Sequence, residues 1–369
     1  MIRWRSGVVT AVLGGWPGAV EIEADVAGTA VPALAYPALT GRPEPGDRVL
    51  LNTTALDLGL GTGGYALVVA LPDRLPPDPD DQAGHLVKAR YTPLQACVQG
   101  ADEQGSPHHA VLRDADDLAG MPVVVADLHS ALPAVLAGYR AARLPAVHAP
   151  AGLTAGPVAA YVMLDGGALP AWFSRTAAGL REAGWLAGTI TVGQALGGDL
   201  EAVTLHTGLL AARHVLGAEV AIVTQGPGGL GTGTRWGFSG VAAGEAVNAV
   251  SVLGGRPVAA LRISEADRRS RHSGVSHHSL TAYGRVALAV ADVAVPDLPG
   301  EMGAAVLAAV QPLAARHRVV RVSVTGLAEA LLTCPVPLST MGRDLAADQA
   351  YFLAAAAAGR HAASLAVQP

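Results

Sequence analysis

Lysine is almost missing from this chain: Lys88 is the only one among 25 basic residues. A Walker-type phosphate loop is therefore excluded, because none of the glycine-rich stretches contains a lysine. Cysteine is nearly absent too, with Cys97 and Cys334 alone. Two thiols build neither a disulfide framework nor a thiolate zinc site, and they fit a reducing compartment. Charged residues make up 15% and aromatics 4%, and no run of like charges forms a tail. A net charge of -5 lacks the basic footprint of a nucleic-acid-binding domain. Long apolar runs are missing as well. The longest uncharged stretch, 144–164, is interrupted by Pro145, Pro150 and Pro157, which argues against a membrane helix. The N-terminal MIRWRSGVVTAVLGGWPGAV superficially resembles a signal peptide, but Gly14, Gly15 and Pro17 break it and no small-residue cleavage site follows. The expectation is a cytoplasmic protein that engages neither nucleic acid nor membrane.

What is present is glycine, 45 residues, with 25 prolines and a hydrophobic fraction of 51% in 369 residues. That length suits two cores. Over 1–71 the pattern is short β-type runs separated by turn signals: RWRSGVVTAVL, AVEIEADV, TAVPALAY, DRVLLNTT and YALVVAL. Five short strands with no helical pattern between them predict a small barrel or sandwich. Residues 72–84, rich in proline and aspartate, read as a linker. The remainder, 85–369, changes rhythm. Apolar runs at VVVAD (123–127), YVML (161–164), TITV (189–192), VAIVT (220–224), VAALRIS (258–264) and VVRVSVT (319–325) alternate with helical stretches. The predicted fold class is α/β: a mostly parallel sheet with helices on both faces, preceded by the β-rich module.

Nearly every predicted strand runs out into polar or glycine-rich residues. In open α/β sheets, ligands bind beyond the carboxyl ends of the strands. Two of these loops are longer than a turn requires. The first, TQGPGGLGTGTRWGFSG (224–240), leaves many backbone N–H groups unshielded. Gly226, Gly228, Gly231, Thr232, Gly233, Thr234 and Arg235 are its candidate ligand-binding residues, suited to an anion. It satisfies GxGxxG formally, but Pro227 removes a donor and Glu265 lies too far on for a dinucleotide fingerprint. The second, SEADRRSRHSGVSHHSLTAYG (264–284), offers Arg268, Arg269 and Arg271, of which Arg271 is a further ligand-binding candidate. His272, His277 and His278 are candidate acid/base groups or anion donors, with Ser276 as N-cap of a following helix. Their spacing matches no metal motif, so no metal is assigned. Asp127 and Asp165, each at a strand end, complete the catalytic candidates. Asp127, His129 and Ser130 are close in sequence without forming a triad, and Val241 spoils a GxSxG elbow around Ser239.

Four segments, GPGGLGTGTRWGFSG, RHSGVSHHSLTAYGRVAL, KARYTPLQ and MGRDLAADQAYFLAAAAAG, together resemble a bacterial domain-of-unknown-function family of the DUF3866 type. The similarity spans most of the chain and implies no activity, cofactor or catalytic residue. The residues lead to the expectation of an enzyme acting on a small phosphorylated or otherwise anionic metabolite, its cofactor unassigned. The alternatives are a non-catalytic nucleotide- or anion-binding sensor and a structural homo-oligomer. Low charge and alanine-rich helices suit subunit packing, so a homo-oligomer is expected in any case. Loops 225–235 and 268–278, leaving consecutive strands, are expected to share one pocket, with neighbouring strands about 4.8 Å apart if those two pair.

Overall fold

Between residues 19 and 26, Val20, Ile22 and Ala24 are buried while Glu21, Glu23 and Asp25 are not. This period of two gives a strand one inward face. The computed structural model, which describes residues 1–61, 63–78, 84–143 and 158–366, closes five such strands into a barrel. They are β1 (Trp4–Trp16), β2 (Ala19–Val26), β3 (Thr29–Ala35), β4 (Arg48–Asn52) and β5 (Ala66–Ala70), in the order β1-β2-β3-β5-β4. Val9, Ile22, Ala33, Val49, Leu51 and Val68 fill its interior. The β2–β3 hairpin turns on Ala27 (φ 52°) and Gly28 (φ 82°), the two positive φ values that match the twist of paired strands. The module is not wholly free of helix: Pro37–Thr40 and Thr54–Asp57 form single turns. Lys88 is fully buried, in a short strand Leu86–Lys88 paired with Ala96–Val98.

The described chain divides into two units, Met1–Gln99 with Trp172–Ala178, and Gly100–Ala171 with Gly179–Pro369. The segment 85–99 thus groups with the barrel rather than with the α/β unit, where the sequence reading put it. Trp172 joins the barrel through its carbonyl, which accepts from Trp16 Nε1 at 2.7 Å. Residues 79–83 of the expected linker, and 144–157 of the uncharged stretch, lie outside the described residues.

The second unit is an eight-stranded, all-parallel sheet. Its strands are β6 (Pro122–Val125), β7 (Ala159–Leu164), β8 (Gly188–Thr191), β9 (Leu200–Glu201), β10 (Val220–Gln225), β11 (Arg256–Ala260), β12 (Asp292–Pro296) and β13 (Arg318–Val322). Across the sheet they run β9-β8-β7-β10-β6-β11-β12-β13. Six were legible as apolar runs. The sequence reading missed β9, only two residues long, and β12, whose DVAVP opens on a charge and closes on proline. Asp292 is buried there because Arg318 and His361 Nε2, the latter at 2.8 Å, both bind its carboxylate. The expected strand 258–264 ends early, at Ala260. Ile263–Ser264 pairs antiparallel with Gly274–Val275 instead.

Val123, Val125, Ala221, Val223 and Ala259 share one apolar cluster with Leu209, Ala246, Val247 and Val250, from helices Leu205–His214 and Ala242–Val252. Helix Leu132–Arg143 packs instead along the C-terminal helix Gln349–Leu365. That seam depends on glycine. A Cβ on Gly138 would lie 1.9 Å from the carbonyl oxygen of Ala356, and one on Gly359 would lie 1.9 Å from that of Val135. Among the described residues, no helix is long and apolar enough to cross a membrane. Because the Gly359 clash is with backbone on both sides, relaxation is limited. Gly359→Val is expected to cost about 3 kcal/mol through overpacking, read as a lowered urea midpoint at unchanged m value; an unchanged midpoint would contradict this packing.

Candidate functional site

β6 and β10 are neighbours, yet the chain leaves them in opposite directions along the sheet, from β6 to β7 and from β10 to β11. Such a point opens a crevice beyond the carboxyl ends of the strands. Three connections converge on it. After β6, Ala126 still donates to Val223 O at 3.0 Å, so Asp127 is the first residue free of the ladder. Gln225, the last residue of β10, donates through Nε2 to Asp127 O at 2.9 Å. Tyr283 ties β6 to β11, its hydroxyl donating toward Val125 O (2.8 Å) and Ala260 O (3.0 Å).

Just past β11, Arg262 carries the only charge in the apolar run VAALRIS and explains why the strand stops. Its N–H donates to Ser279 Oγ (2.9 Å) and its carbonyl accepts from Ser276 N (2.8 Å). Its guanidinium, 5% exposed, lies 3.5 Å from Asp267 and 3.9 Å from Asp127. Asp267 also binds Arg269 in a two-pronged pair at 2.9 and 2.7 Å. That pair, against the cost of burial, holds the Asp267 carboxyl well below the usual carboxylate range. Fully buried Asp348 extends the network, accepting from Ser264 Oγ (2.7 Å) and Arg343 Nε (2.9 Å). Buried charges persist only when paired in this way.

The histidine loop closes over this base. Ser276 is the N-cap, its Oγ accepting from His278 N, and the same Oγ lies 2.8 Å from His272 Nδ1. His278 stacks on Phe238 at 3.7 Å and nearly parallel, with Nδ1 3.3 Å from Asp127 Oδ2 and 3.3 Å from Arg262 Nη1. Burial, before any neighbouring cation, pushes the His272 pKa down to about 3 and lowers that of His277. Burial therefore favours the neutral imidazole of both. His129 lies beneath, its Nδ1 2.9 Å from Tyr161 Oη, and burial pushes it down to about 4.

Between these elements lies a cavity of about 160 Å³. Asp127, His272, His278 and Arg271 line it, as do Gly231 and Gly233 of the glycine loop. The two long loops therefore share one pocket, although β10 and β11 are not adjacent: β6 runs between them and contributes Asp127.

Not all sequence candidates reach it. Asp165 is exposed, and its Oδ2 accepts from Gln194 N at 2.8 Å, so it fastens a turn. Gly226 packs on Ala168, where a Cβ would sit 2.4 Å from the carbonyl oxygen. Gly228 and Arg235 are exposed and outside the lining. Thr232 and Thr234 hold the loop itself: Thr232 N donates to Gly237 O (2.7 Å) and Gly237 N to Thr234 Oγ1 (3.1 Å). His277 stands behind the lining, beside Phe238, His272 and His278. Gln225, Gly229, Arg262, Arg269 and Met341 line the cavity but were not assigned to a site from sequence. A lone arginine in an apolar strand was the available signal for Arg262. None existed for Met341, brought in by the Ser339–Thr340/Arg343–Asp344 hairpin. Arg262→Leu leaves Asp127 and Asp267 buried without their shared cation and is expected to destabilise by about 3–5 kcal/mol. Equilibrium urea unfolding at pH 7 checks this, and a loss below about 1 kcal/mol would show the network to be a solvated surface.

A family model described as "Protein of unknown function (DUF3866)" matches residues 32–359. No curated protein and no solved structure matches the chain.

Proposed function

We propose, for a chain that belongs to this DUF3866 family and takes no activity from its description, that the α/β unit is an enzyme acting on a small metabolite bearing a phosphate or another anionic group. One observation carries the reading: Arg271, the backbone of Gly231 and Gly233, and the Asp127–His278 pair meet in one cavity at the point where the strand order reverses. Arg262 and Arg269 are neutralised by Asp127 and Asp267, whereas Arg271 makes no ion pair among the described residues. Arg271 is thus the cation left for a ligand, with a guanidinium fork suited to two oxygens of one phosphate or carboxylate. With His278 Nδ1–H donating to Asp127, its Nε2 holds a lone pair that can take a proton from substrate.

Size narrows the ligand. A cavity of about 160 Å³ compares with the roughly 150 Å³ that accommodates a benzene-sized molecule. It suits an anionic head group or a metabolite of a few heavy atoms, and the base of a nucleotide would lie outside it. Gln225 adds a second requirement: its Oε1 is buried and accepts no hydrogen bond among the described residues, so a ligand with an O–H or N–H beside its anionic group would satisfy it.

The test is calorimetric titration with inorganic phosphate and small phosphorylated metabolites in chloride buffer, followed by turnover assays on whatever binds. Saturable binding is expected, weakened at least about tenfold, or about 1.4 kcal/mol, by Arg271→Ala. Gly231→Val should abolish binding without unfolding the protein, because a Cβ there meets nothing nearer than 3.9 Å. Gly233 is the poorer probe, since its φ of 80° would strain any substitution. Binding without turnover would favour a non-catalytic sensor; no binding, or full binding by Arg271→Ala, would overturn the proposal.

A further inference from the structure

The spacing of His272, His277 and His278 matches no metal motif, so no metal was assigned from sequence. Here a short 3-10 turn, Ser270–His272, and the first turn of the helix His277–Thr281 are folded against each other. Their three rings come together. Ring centres lie 5.1 Å apart for His272 and His277, 4.8 Å for His272 and His278, and 4.5 Å for His277 and His278. Three imidazoles bound tetrahedrally to zinc, with Zn–N near 2.1 Å, would place their ring centres about 5 Å apart. One ring nitrogen from each of the three lies within 4.8 Å of the others.

The nitrogen partners sort in the same sense. His272 Nδ1 faces Ser276 Oγ at 2.8 Å and His278 Nδ1 faces Asp127 Oδ2 at 3.3 Å. Each contact leaves the Nε2 of that ring for another partner, and a carboxylate or hydroxyl on Nδ1 is the usual outer support of a metal-binding histidine. His277 Nε2 is buried and makes no hydrogen bond among the described residues. Such an atom is costly to leave unsatisfied, and a metal ion is one group that would satisfy it.

We propose that His272, His277 and His278 bind one divalent transition-metal ion of the zinc type, with its remaining coordination positions facing the cavity that His272 and His278 line. Three neutral nitrogens and an open position are the donor set of zinc sites that carry an exchangeable ligand. The nearby cations do not forbid it. Arg262 and Arg269 are balanced by Asp127 and Asp267, and Arg271 lines the cavity without an ion pair among the described residues. An anion in the cavity would lie between Arg271 and the metal and favour both. The site rests on the histidine geometry and stands independently of the anion reading, but in the metal-bound chain His278 Nε2 is a ligand and no longer the proton acceptor for substrate.

The experiment uses the full chain, stripped with a chelator, dialysed into phosphate-free buffer and titrated calorimetrically with Zn²⁺. Co²⁺ absorption spectra serve as a second readout. The expected result is one Zn²⁺ per chain, Co²⁺ d–d bands of a low-symmetry site, and about a hundredfold loss of affinity in His277→Ala. Circular dichroism identifies variants that remain folded, and His272→Gln serves if His277→Ala does not. Wild-type protein decides without any variant: failure to bind Zn²⁺ stoichiometrically overturns the proposal. Undiminished affinity in a folded His277→Ala or His272→Gln chain overturns it equally. Phosphate binding by the chelator-treated protein, in the absence of Zn²⁺ uptake, would retain the anion site while removing the metal. Zn²⁺ uptake without anion binding would do the reverse.

Discussion

The buried guanidinium of Arg262 is the interaction on which the candidate site depends. A cation 5% exposed to solvent has to be surrounded by compensating groups, and those groups come from three separate segments. Asp127 arrives from the end of β6, Asp267 from the loop after β11, and His278 Nδ1, 3.3 Å from the guanidinium, from the histidine helix, while Ser276 N and Ser279 Oγ hold the Arg262 backbone. Satisfying one charge therefore fixes the ends of two strands and the return of the histidine loop. Asp267 carries the constraint outward to Arg269, and Arg343 links Asp267 to Asp348, at 3.6 and 2.9 Å. A network of this kind gives uncertain net stability but strong positional demand, because removing any one partner strands another charge out of water.

Sheet topology supplies the rest. β6 lies at the centre and the connections on either side of it diverge, so a crevice is left beyond the carboxyl ends of the strands. The glycine loop spans it, braced by its own threonine hydroxyls. This division of labour is consistent with a preorganised site: side chains that look like ligand donors in sequence hold the loop, and the backbone they hold lines the cavity. Arg271 and the Asp127–His278 pair then provide unequal functions, one a fixed cation and the other a group able to exchange a proton.

Much of the fold was legible because its signals are local. Alternation in AVEIEADV and the continuous apolar runs VVVAD and VAIVT reflect side-chain burial in single strands, and the barrel and parallel sheet followed from them. β12 was not legible, because Asp292 is tolerated only through Arg318 and His361, which are remote in sequence. The site was partly legible for the same reason. Loop length marked the two segments that meet at the cavity, and His272, His278, Gly231, Gly233 and Arg271 line it. Asp165 and Thr232 carried the right chemistry in the wrong surroundings, since what a hydroxyl or carboxylate does depends on the nearest unpaired N–H. Even the shared pocket arose by another route than strand adjacency, with β6 inserted between the two loop-bearing strands.

The anion site is the centre of this account, and a crystal of the full chain soaked in tungstate, a heavy analogue of phosphate, tests it most directly through the tungsten anomalous signal. The account predicts a peak in the cavity between Arg271 and the Gly231–Gly233 backbone, with oxygens within hydrogen-bond distance of both. A map with tungstate bound only elsewhere on the molecule, and the cavity left without it, would contradict the account.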